Sequence, residues 1–325
     1  METYEGEKYY TTKEKLKKTI EKYGVAIIPN VFSDIECDSI YSKMWDFFEH
    51  ITNKWNVPLN RQNQKTWKNF NNLCPLHSML VQYYGIGQAQ FAWEARQNQK
   101  AIDIFSYLWK TNDLLVSFDG SSLHLPPEIT NRGWYHKSWY HTDQSYTRNK
   151  FECVQSFVTL RDINDGDATL AVMESSNKYH EHFKNTFGIN NKDDWYKLSE
   201  NQEKYYFDKG CKYKRIKCPK GSMVFWDSRT IHCGVEPLKN RNSSNIRAVV
   251  YLCYSPKKLI TEKNLEKKQN AFNNLRTTNH YPCSIKLFPK KPRTYGNNTN
   301  ENLINKINEI EPPVLTPLGK KLAGF

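Results

Sequence analysis

The sequence predicts a mainly β protein with flanking helices, whose core is an antiparallel sandwich or barrel of the jelly-roll kind. Two observations support this class. Residues 114–255 contain short runs rich in β-branched and aromatic residues, separated by turn-forming segments such as 164–167. The first 113 residues instead carry apolar side chains at helical spacing. Aromatic residues make up 14% of the 325-residue chain, which is enough to bury a core and excludes a wholly disordered protein.

The N-terminal third is predicted to be mostly helical. A charged helix covers 13–22 and a strand-like run follows at 25–32. Ser33 or Asp34 can cap the next helix, whose apolar residues recur at spacings of three and four. A similar pattern covers 89–109. These spacings are typical of helices that pack one face against a core.

Six strand-like runs follow, each short enough for a sandwich or barrel. They lie at 114–118, 151–160, 169–173, 213–217, 222–226 and 246–252, with an insert expected at 190–201. Beyond residue 255 the chain becomes basic and polar, and helices are expected at 261–275 and 301–310. We therefore predict a core domain at 1–255 and a basic extension that packs on or trails it. The core domain divides into a helical part at 1–113 and a β core at 114–255, and the extension covers 256–325.

The formal net charge is +13, and the excess is uneven. Between 256 and 295 there are ten Lys or Arg and two Glu, so this stretch alone carries +8. One interpretation is a site for a polyanion, such as nucleic acid or a phosphorylated or CoA-linked substrate. The other is a solvated surface in a Lys- and Asn-rich chain, since no nucleic-acid-binding motif accompanies the charge.

The cysteines and the hydropathy of the sequence indicate where in the cell the protein is expected. The eight cysteines form no Cys-x-x-Cys pair, which disfavours a structural zinc site and indicates free, mostly buried thiols. The apolar runs are far shorter than the roughly 18 residues that a membrane-spanning helix needs. The N-terminus lacks the apolar stretch of a secretory signal. We expect a soluble intracellular protein, cytoplasmic by default, without a membrane span.

One group of potential metal ligands stands out. His141 and Asp143 form a His-x-Asp pair before the strand-like run at 151–160, and His232 follows the run at 222–226. Residues i and i+2 point to the same side of an extended chain, so the pair offers two ligands to one ion. Two imidazoles and one carboxylate on one face of Fe(II) leave positions open for a cosubstrate and O₂. A His-x-Asp pair alone is a weak signal, and polar residues at strand ends are the alternative.

Three further residues are candidates for a role beside this group. Arg247 lies inside the run at 246–252, from which its guanidinium could bind the end of a dicarboxylate in a bidentate salt bridge. Gln155, on the run after the His-x-Asp pair, is interpreted either as a hydrogen-bonding group for the cosubstrate or as a structural residue. His136 lies five residues before His141 and does not share its strand face, which makes it a poor ligand candidate.

These residues resemble the phytanoyl-CoA dioxygenase family of Fe(II)/2-oxoglutarate-dependent oxygenases, and the resemblance covers most of the chain. Similar blocks lie at 21–33, 139–144, 153–173, 226–234, 276–282, 288–293 and 315–319. The resemblance implies an oxidoreductase with a double-stranded β-helix core and flanking helices. It also implies that His141, Asp143 and His232 bind iron and that Arg247 binds the far carboxylate of 2-oxoglutarate.

The resemblance further implies a dioxygenase reaction that consumes O₂ and 2-oxoglutarate, releases succinate and CO₂, and oxidises a C–H bond. The substrate would be an unidentified small molecule, and ascorbate is a candidate reductant. Halogenating members of the family have a small residue at the position of Asp143, so the carboxylate here favours a hydroxylase.

The chain departs from the family pattern in three places. Residues 174–177 read Glu-Ser-Ser-Asn where many members have Pro-Gly-Ser-His, and Gly221-Ser222 stands where a Gly-Asp pair is usual. Both departures lie outside the ligand triad and bear on substrate choice and loop shape. An insert at 238–245 also places Arg247 further from His232 than usual, which makes Arg241, inside the insert, the runner-up for the cosubstrate carboxylate.

Two other classes of function stay open at this point. The first is a catalytically silent barrel that acts as a binding module, against which the intact triad and arginine argue. The second is a nucleic-acid-binding or nucleic-acid-modifying protein whose basic stretch is the working surface, which would show salt-dependent binding. Neither the substrate nor the oligomeric state follows from the sequence.

Overall fold

The computed structural model describes residues 2–131, 139–294 and 297–325, so His136 lies outside the described residues. The strands in these ranges are β1 (Thr3–Glu5), β2 (Val25–Ile28), β3 (Leu80–Val81), β4 (Leu114–Val116), β5 (Ser121–His124), β6 (His141–Thr142), β7 (Val154–Thr159), β8 (Thr169–Met173), β9 (Tyr196–Lys197), β10 (Tyr213–Ile216), β11 (Met223–Asp227), β12 (His232–Val235), β13 (Arg247–Leu252) and β14 (Tyr254–Pro256). The α-helices are α1 (Leu16–Tyr23), α2 (Asp34–Thr52), α3 (Gln90–Arg96), α4 (Gln99–Trp109), α5 (Pro127–Thr130), α6 (His180–Phe187), α7 (Glu200–Asp208), α8 (Glu262–Asn273), α9 (Asn298–Ile304) and α10 (Pro317–Ala323).

Most strands belong to two six-stranded sheets. Sheet I has the order β1-β10-β8-β12-β6-β9, and sheet II has the order β2-β11-β7-β13-β5-β3, while β14 and β4 form a separate pair. The chain passes repeatedly between the sheets, with β7, β11 and β13 in sheet II and β8, β10 and β12 in sheet I. Val172 and Ile216 of sheet I share one buried cluster with Phe157, Val224 and Val249 of sheet II. Their apolar faces therefore pack against each other.

The sequence-based elements agree with the structure in kind and differ at their ends. Sheets flanked by helices are present as expected, but helical residues outnumber strand residues in the described ranges, so "mainly β" was too narrow. Ser33 caps α2 in a capping box with Glu36. The helix expected at 89–109 is divided in two, because the Asn98 side chain accepts a hydrogen bond from the Ala101 N–H and begins a new helix.

Two further expectations concern cysteines and membranes. All eight cysteines are free, and six of them are buried. Within the described ranges, no helix combines the length and the apolar character that a membrane crossing requires.

The basic stretch after residue 256 lies along the core. Lys268 of α8 is fully buried, where its Nζ donates to the Val116 carbonyl and lies 3.8 Å from the centroid of the Phe118 ring. The Thr278 N–H donates to the Phe118 carbonyl at 2.8 Å. One of the ten basic residues counted in this stretch is thus a packing residue and not part of a charged surface.

Lys268 makes stability depend on pH in a predictable direction. Burial lowers the pKa of Lys268 to about 7. Below pH 7 both the folded and unfolded chains hold the proton, so Lys268→Met is expected to raise Tm by ~2–4 °C by removing a buried charge. Between pH 7 and the ordinary lysine pKa of about 10.4 the unfolded chain binds more protons, so wild-type stability rises with pH relative to the variant.

Thermal unfolding of both proteins from pH 6 to 9 measures this difference. We expect the difference in Tm between Lys268→Met and wild type to shrink from pH 6 to pH 9. Lys267→Met, which replaces an exposed neighbour, is the control and should show no such trend. A Lys268→Met gap that stays constant with pH would show that the buried amine does not titrate there.

Candidate metal centre

Paired strands bring the three predicted ligands together. β6 and β12 are antiparallel neighbours in sheet I, with His141 directly opposite His232. Asp143 follows β6, and its N–H donates to the Ser228 carbonyl at 3.1 Å, which fixes the turn after the strand. His141 Nε2 lies 3.4 Å from Asp143 Oδ1, and His232 Nε2 lies 3.2 Å from Oδ2. One ligand atom from each residue lies within 4.8 Å of the others.

The histidine rings are oriented by backbone carbonyls. His141 Nδ1 lies 2.9 Å from the Trp139 carbonyl, and His232 Nδ1 lies 2.9 Å from the Thr230 carbonyl. A carbonyl only accepts, so each Nδ1 carries a hydrogen and each Nε2 is the nitrogen that can bind a metal ion. Two such nitrogens beside one carboxylate are a donor set that divalent transition metals bind, so these residues fit a metal ion.

The carboxyl group of Asp143, the third predicted ligand, keeps its negative charge. Burial acts to raise the pKa of Asp143, but the imidazoles of His280, His141 and His232 outweigh burial, and the pKa of Asp143 lies well below its usual range. A carboxylate that stays charged while only 8% exposed is suited to neutralise part of a cation's charge.

Gln155 lies on β7 of sheet II and contacts the cluster from the opposite side. Its Nε2 donates to Asp143 Oδ2 at 2.7 Å and to Ser228 Oγ at 3.2 Å. This geometry favours the structural role for Gln155, in which its amide orients the Asp143 carboxylate, over direct contact of the amide nitrogen with a cosubstrate. Gln144, next to Asp143, instead donates to the carbonyls of Arg148 and Lys150.

Removing the Gln155 amide should therefore weaken metal binding without removing a ligand. We expect Gln155→Leu to raise the Kd for Fe(II) or Co(II) by about 10–100-fold, the usual cost of losing a group that orients a ligand. Competition with a chelator measures the Kd. Gln144→Leu is the matched control, since it removes a buried amide that contacts no ligand, and an equal loss in both variants would assign the effect to general destabilisation.

Arg247 is a buried cation without an anionic partner among the described residues. It lies on β13 and is 3% exposed; its Nε has no hydrogen-bond partner within those residues, and its Nη1 lies 3.5 Å from Met79 Sδ. The guanidinium carbon lies 5.3 Å from the centroid of the Phe157 ring, in the cluster between the sheets. A buried guanidinium in this state is costly, and a carboxylate ligand would offset that cost.

Arg241, the alternative, is already paired. Its Nε lies 2.8 Å from Glu128 Oε1, and its Nη1 lies 3.1 Å from Asp167 Oδ1. Two carboxylates therefore satisfy its charge, and the geometry favours Arg247 as the residue for a cosubstrate carboxylate.

Sequence reasoning missed His280. The segment around it is fixed by the Thr278 N–H, which donates to Phe118, and by the Tyr281 hydroxyl, which accepts from Arg148 Nη2 at 3.0 Å. The Nε2 of His280 is shielded from solvent and has no hydrogen-bond partner in the described parts of the chain. Its only signal in the sequence was the block of family resemblance at 276–282.

No protein-family model matches the chain. The Ava biosynthesis cluster protein O of Aspergillus versicolor is 31% identical over an alignment of 208 residues, and the match covers 62% of this chain. The match spans 65% of the length of that relative.

Solved structures show the fold. A hypothetical protein of Escherichia coli, JW0805, superposes with a TM-score of 0.63 at 14% identity, over 98% of this chain and 85% of its own. GlcNAc Inducible Gene 2 (GIG2, DUF1479) of Candida albicans gives 0.56 at 13% identity, over 95% and 80%. SnoN, an alpha ketoglutarate dependent epimerase of nogalamycin biosynthesis, gives 0.43 at 11% identity, over 75% and 83%. The first two likenesses show a shared fold alone, and the third is too low to show either fold or activity.

Proposed function

We propose that this protein is an Fe(II)- and 2-oxoglutarate-dependent oxygenase that hydroxylates a C–H bond of a small molecule. One observation carries the proposal: two buried groups face the space between the sheets. The first is the cluster of His141, Asp143 and His232, whose donor set suits Fe(II). The second is Arg247, a buried cation that lacks an anion among the described residues.

The same arrangement supports a double-stranded β-helix core. A jelly roll winds its chain back and forth between two facing sheets, as β7 to β13 do here. Sheet I then supplies the two histidines, while sheet II supplies Gln155 and Arg247. We assign this β core to 114–255 within a domain that covers 1–255, with 1–113 as its helical part and 256–325 as an extension that packs along it.

Each residue has a separate task in this proposal. His141 and His232 keep their Nε2 lone pairs inward through their Nδ1 hydrogen bonds, and Gln155 holds the Asp143 carboxylate. Arg247 binds the far carboxylate of 2-oxoglutarate and so directs its keto acid end toward the triad. Bound Fe(II) would supply the activation of O₂ that couples decarboxylation of 2-oxoglutarate, to succinate and CO₂, with oxidation of the C–H bond.

Two features of the site support hydroxylation as the reaction and a small molecule as the substrate. Asp143 would hold bound Fe(II) at the coordination position that a halide would need, which supports hydroxylation. His141, Asp143 and His232 are 4%, 8% and 5% exposed, and such a recessed cluster suits a small molecule. The Aspergillus relative is named for a biosynthesis cluster, which is consistent with a small-molecule substrate.

Succinate formation tests the proposal. The protein is incubated with Fe(II), 2-oxoglutarate and ¹⁸O₂ in the presence of fractionated small-molecule extracts, with and without ascorbate. We expect at least one fraction to raise succinate above the iron-free blank and to yield a product that carries one ¹⁸O atom. A protein that binds metal and 2-oxoglutarate but yields no succinate with any fraction would be a binding module instead.

A further inference from the structure

We propose that Met79 sets the length of the 2-oxo dicarboxylate that the site accepts, and so selects 2-oxoglutarate over its longer homologue. This inference rests on the proposed function and assigns a specificity-determining residue to it. Met79 is 2% exposed, and its Sδ lies 3.5 Å from Arg247 Nη1. The thioether therefore lies against the group that would bind the far carboxylate of the cosubstrate.

The position of Met79 is fixed by its own loop. Leu76 and Leu80 exchange backbone hydrogen bonds of 2.7 and 2.9 Å, which closes residues 76–80 into a tight turn. His77 and Ser78 have φ angles of 51° and 63°, in the left-handed region that residues with a side chain rarely adopt. Such a conformation persists only where the surroundings enforce it.

The turn is also attached to sheet II. Leu80 and Val81 form β3, which pairs with β5, and the Leu123 N–H of β5 donates to the Met79 carbonyl at 3.1 Å. Hydrogen bonds thus hold the backbone on both sides of Met79 in place. Met79 is consequently anchored by its backbone, and a ligand beside Arg247 would have to fit against its thioether.

Sheet I leaves room for this side chain. A Cβ atom added to Gly234 on β12 would lie 2.9 Å from Met79 Sδ, closer than real Cβ contacts allow. The absence of a side chain at Gly234 therefore leaves the space that the thioether occupies beside Arg247. Gly234 also accepts a hydrogen bond from Trp139 Nε1 at 2.9 Å, and the Trp139 ring stacks on His141 with centroids 5.0 Å apart.

The length of the dicarboxylate that fits follows from the positions of the metal-binding triad and of Arg247 with Met79. The triad determines where the keto acid end binds, and Arg247 with Met79 determines where the far carboxylate ends. 2-Oxoadipate is one methylene longer than 2-oxoglutarate, so its carboxylate would have to displace the thioether. A pocket that excludes one methylene discriminates by about 10–200-fold.

The test compares the two acids in the metal-loaded protein. Fe(II) protein without O₂ is titrated with 2-oxoglutarate and with 2-oxoadipate, and the visible metal-to-ligand charge-transfer band gives each Kd. Wild type is expected to prefer 2-oxoglutarate by at least about tenfold. Met79→Ala should lower that preference at least fivefold, and Met79→Leu, which keeps the volume, should stay within about twofold of wild type.

The outcomes separate this inference from the function on which it rests. If Met79→Ala keeps its metal affinity and the wild-type preference, Met79 does not set the length. If wild type shows no band with either acid, the proposed function fails and the inference fails with it. Met79→Val, a smaller truncation, is measured in the same way and decides the question if the alanine variant does not fold.

Discussion

His141→Ala is expected to abolish metal binding at micromolar metal, together with any 2-oxoglutarate turnover. The reason is that His141 and His232 supply the two nitrogen donors of the cluster, and one ligand atom from each lies within 4.8 Å of the other and of an Asp143 oxygen. Loss of one donor should raise the Kd for Fe(II) or Co(II) by more than about 100-fold, since even groups that only orient ligands are worth 10–100-fold.

An exposed histidine provides the matched control. His182 lies on α6 and is exposed, so His182→Ala removes an imidazole without touching the cluster. Metal affinity is measured by chelator competition and folding by circular dichroism. A folded His141→Ala protein that binds the metal as tightly as wild type would mean that His141 is not a ligand.

Arg247→Ala is expected to weaken 2-oxoglutarate binding by about 30-fold or more. Truncating one partner of a buried, hydrogen-bonded charge pair costs about 2–5 kcal/mol, and each 1.4 kcal/mol is a factor of ten. The metal affinity should change little, because Arg247 contacts Met79 and Phe157 but none of the three ligands. Arg247→Lys should fall between wild type and the alanine variant, since an amine cannot make the bidentate contact.

Arg241→Ala distinguishes the two arginines. Arg241 is paired with Glu128 and Asp167, so its loss should affect stability but leave the Kd for 2-oxoglutarate within about twofold. For all variants, the Kd for 2-oxoglutarate comes from the anaerobic titration of the Fe(II) protein that is followed by the charge-transfer band. If Arg241→Ala shows the large loss and Arg247→Ala does not, the cosubstrate carboxylate is bound at the insert, as the alternative holds.

The cluster could be predicted because its signal is local in the sequence. A His-x-Asp pair places two predicted ligands at the end of one short strand, and the third predicted ligand, His232, begins the strand that pairs with it. Met79 and His280 carry no such signal. Met79 lies beside Arg247, 168 residues away in the sequence, in space that the missing side chain at Gly234 leaves open. The positions of Met79 and His280 thus depend on contacts between residues that are far apart in the sequence.

The secondary structure also divides into elements with a local sequence signal and elements that depend on long-range pairing. The apolar run that forms β8 was located to the residue, whereas the two-residue strands β3 and β9 were not anticipated, because pairing rather than local composition defines them. The basic stretch illustrates the limit of composition, since Lys268 is buried and cannot contribute to a surface charge. Binding of a polyanion by the remaining basic residues stays a prediction.

The charge-transfer band of the anaerobic complex tests the central claim most directly, since it requires metal and cosubstrate in one site and needs no substrate. The apo-protein is mixed with Fe(II) and 2-oxoglutarate in the absence of O₂, with His141→Ala and Arg247→Ala in parallel. We predict a visible band in wild type that is absent in His141→Ala and requires at least about 30-fold more 2-oxoglutarate in Arg247→Ala. A folded wild-type protein that shows no band at saturating metal and 2-oxoglutarate would contradict the assignment of this site to an Fe(II)/2-oxoglutarate oxygenase.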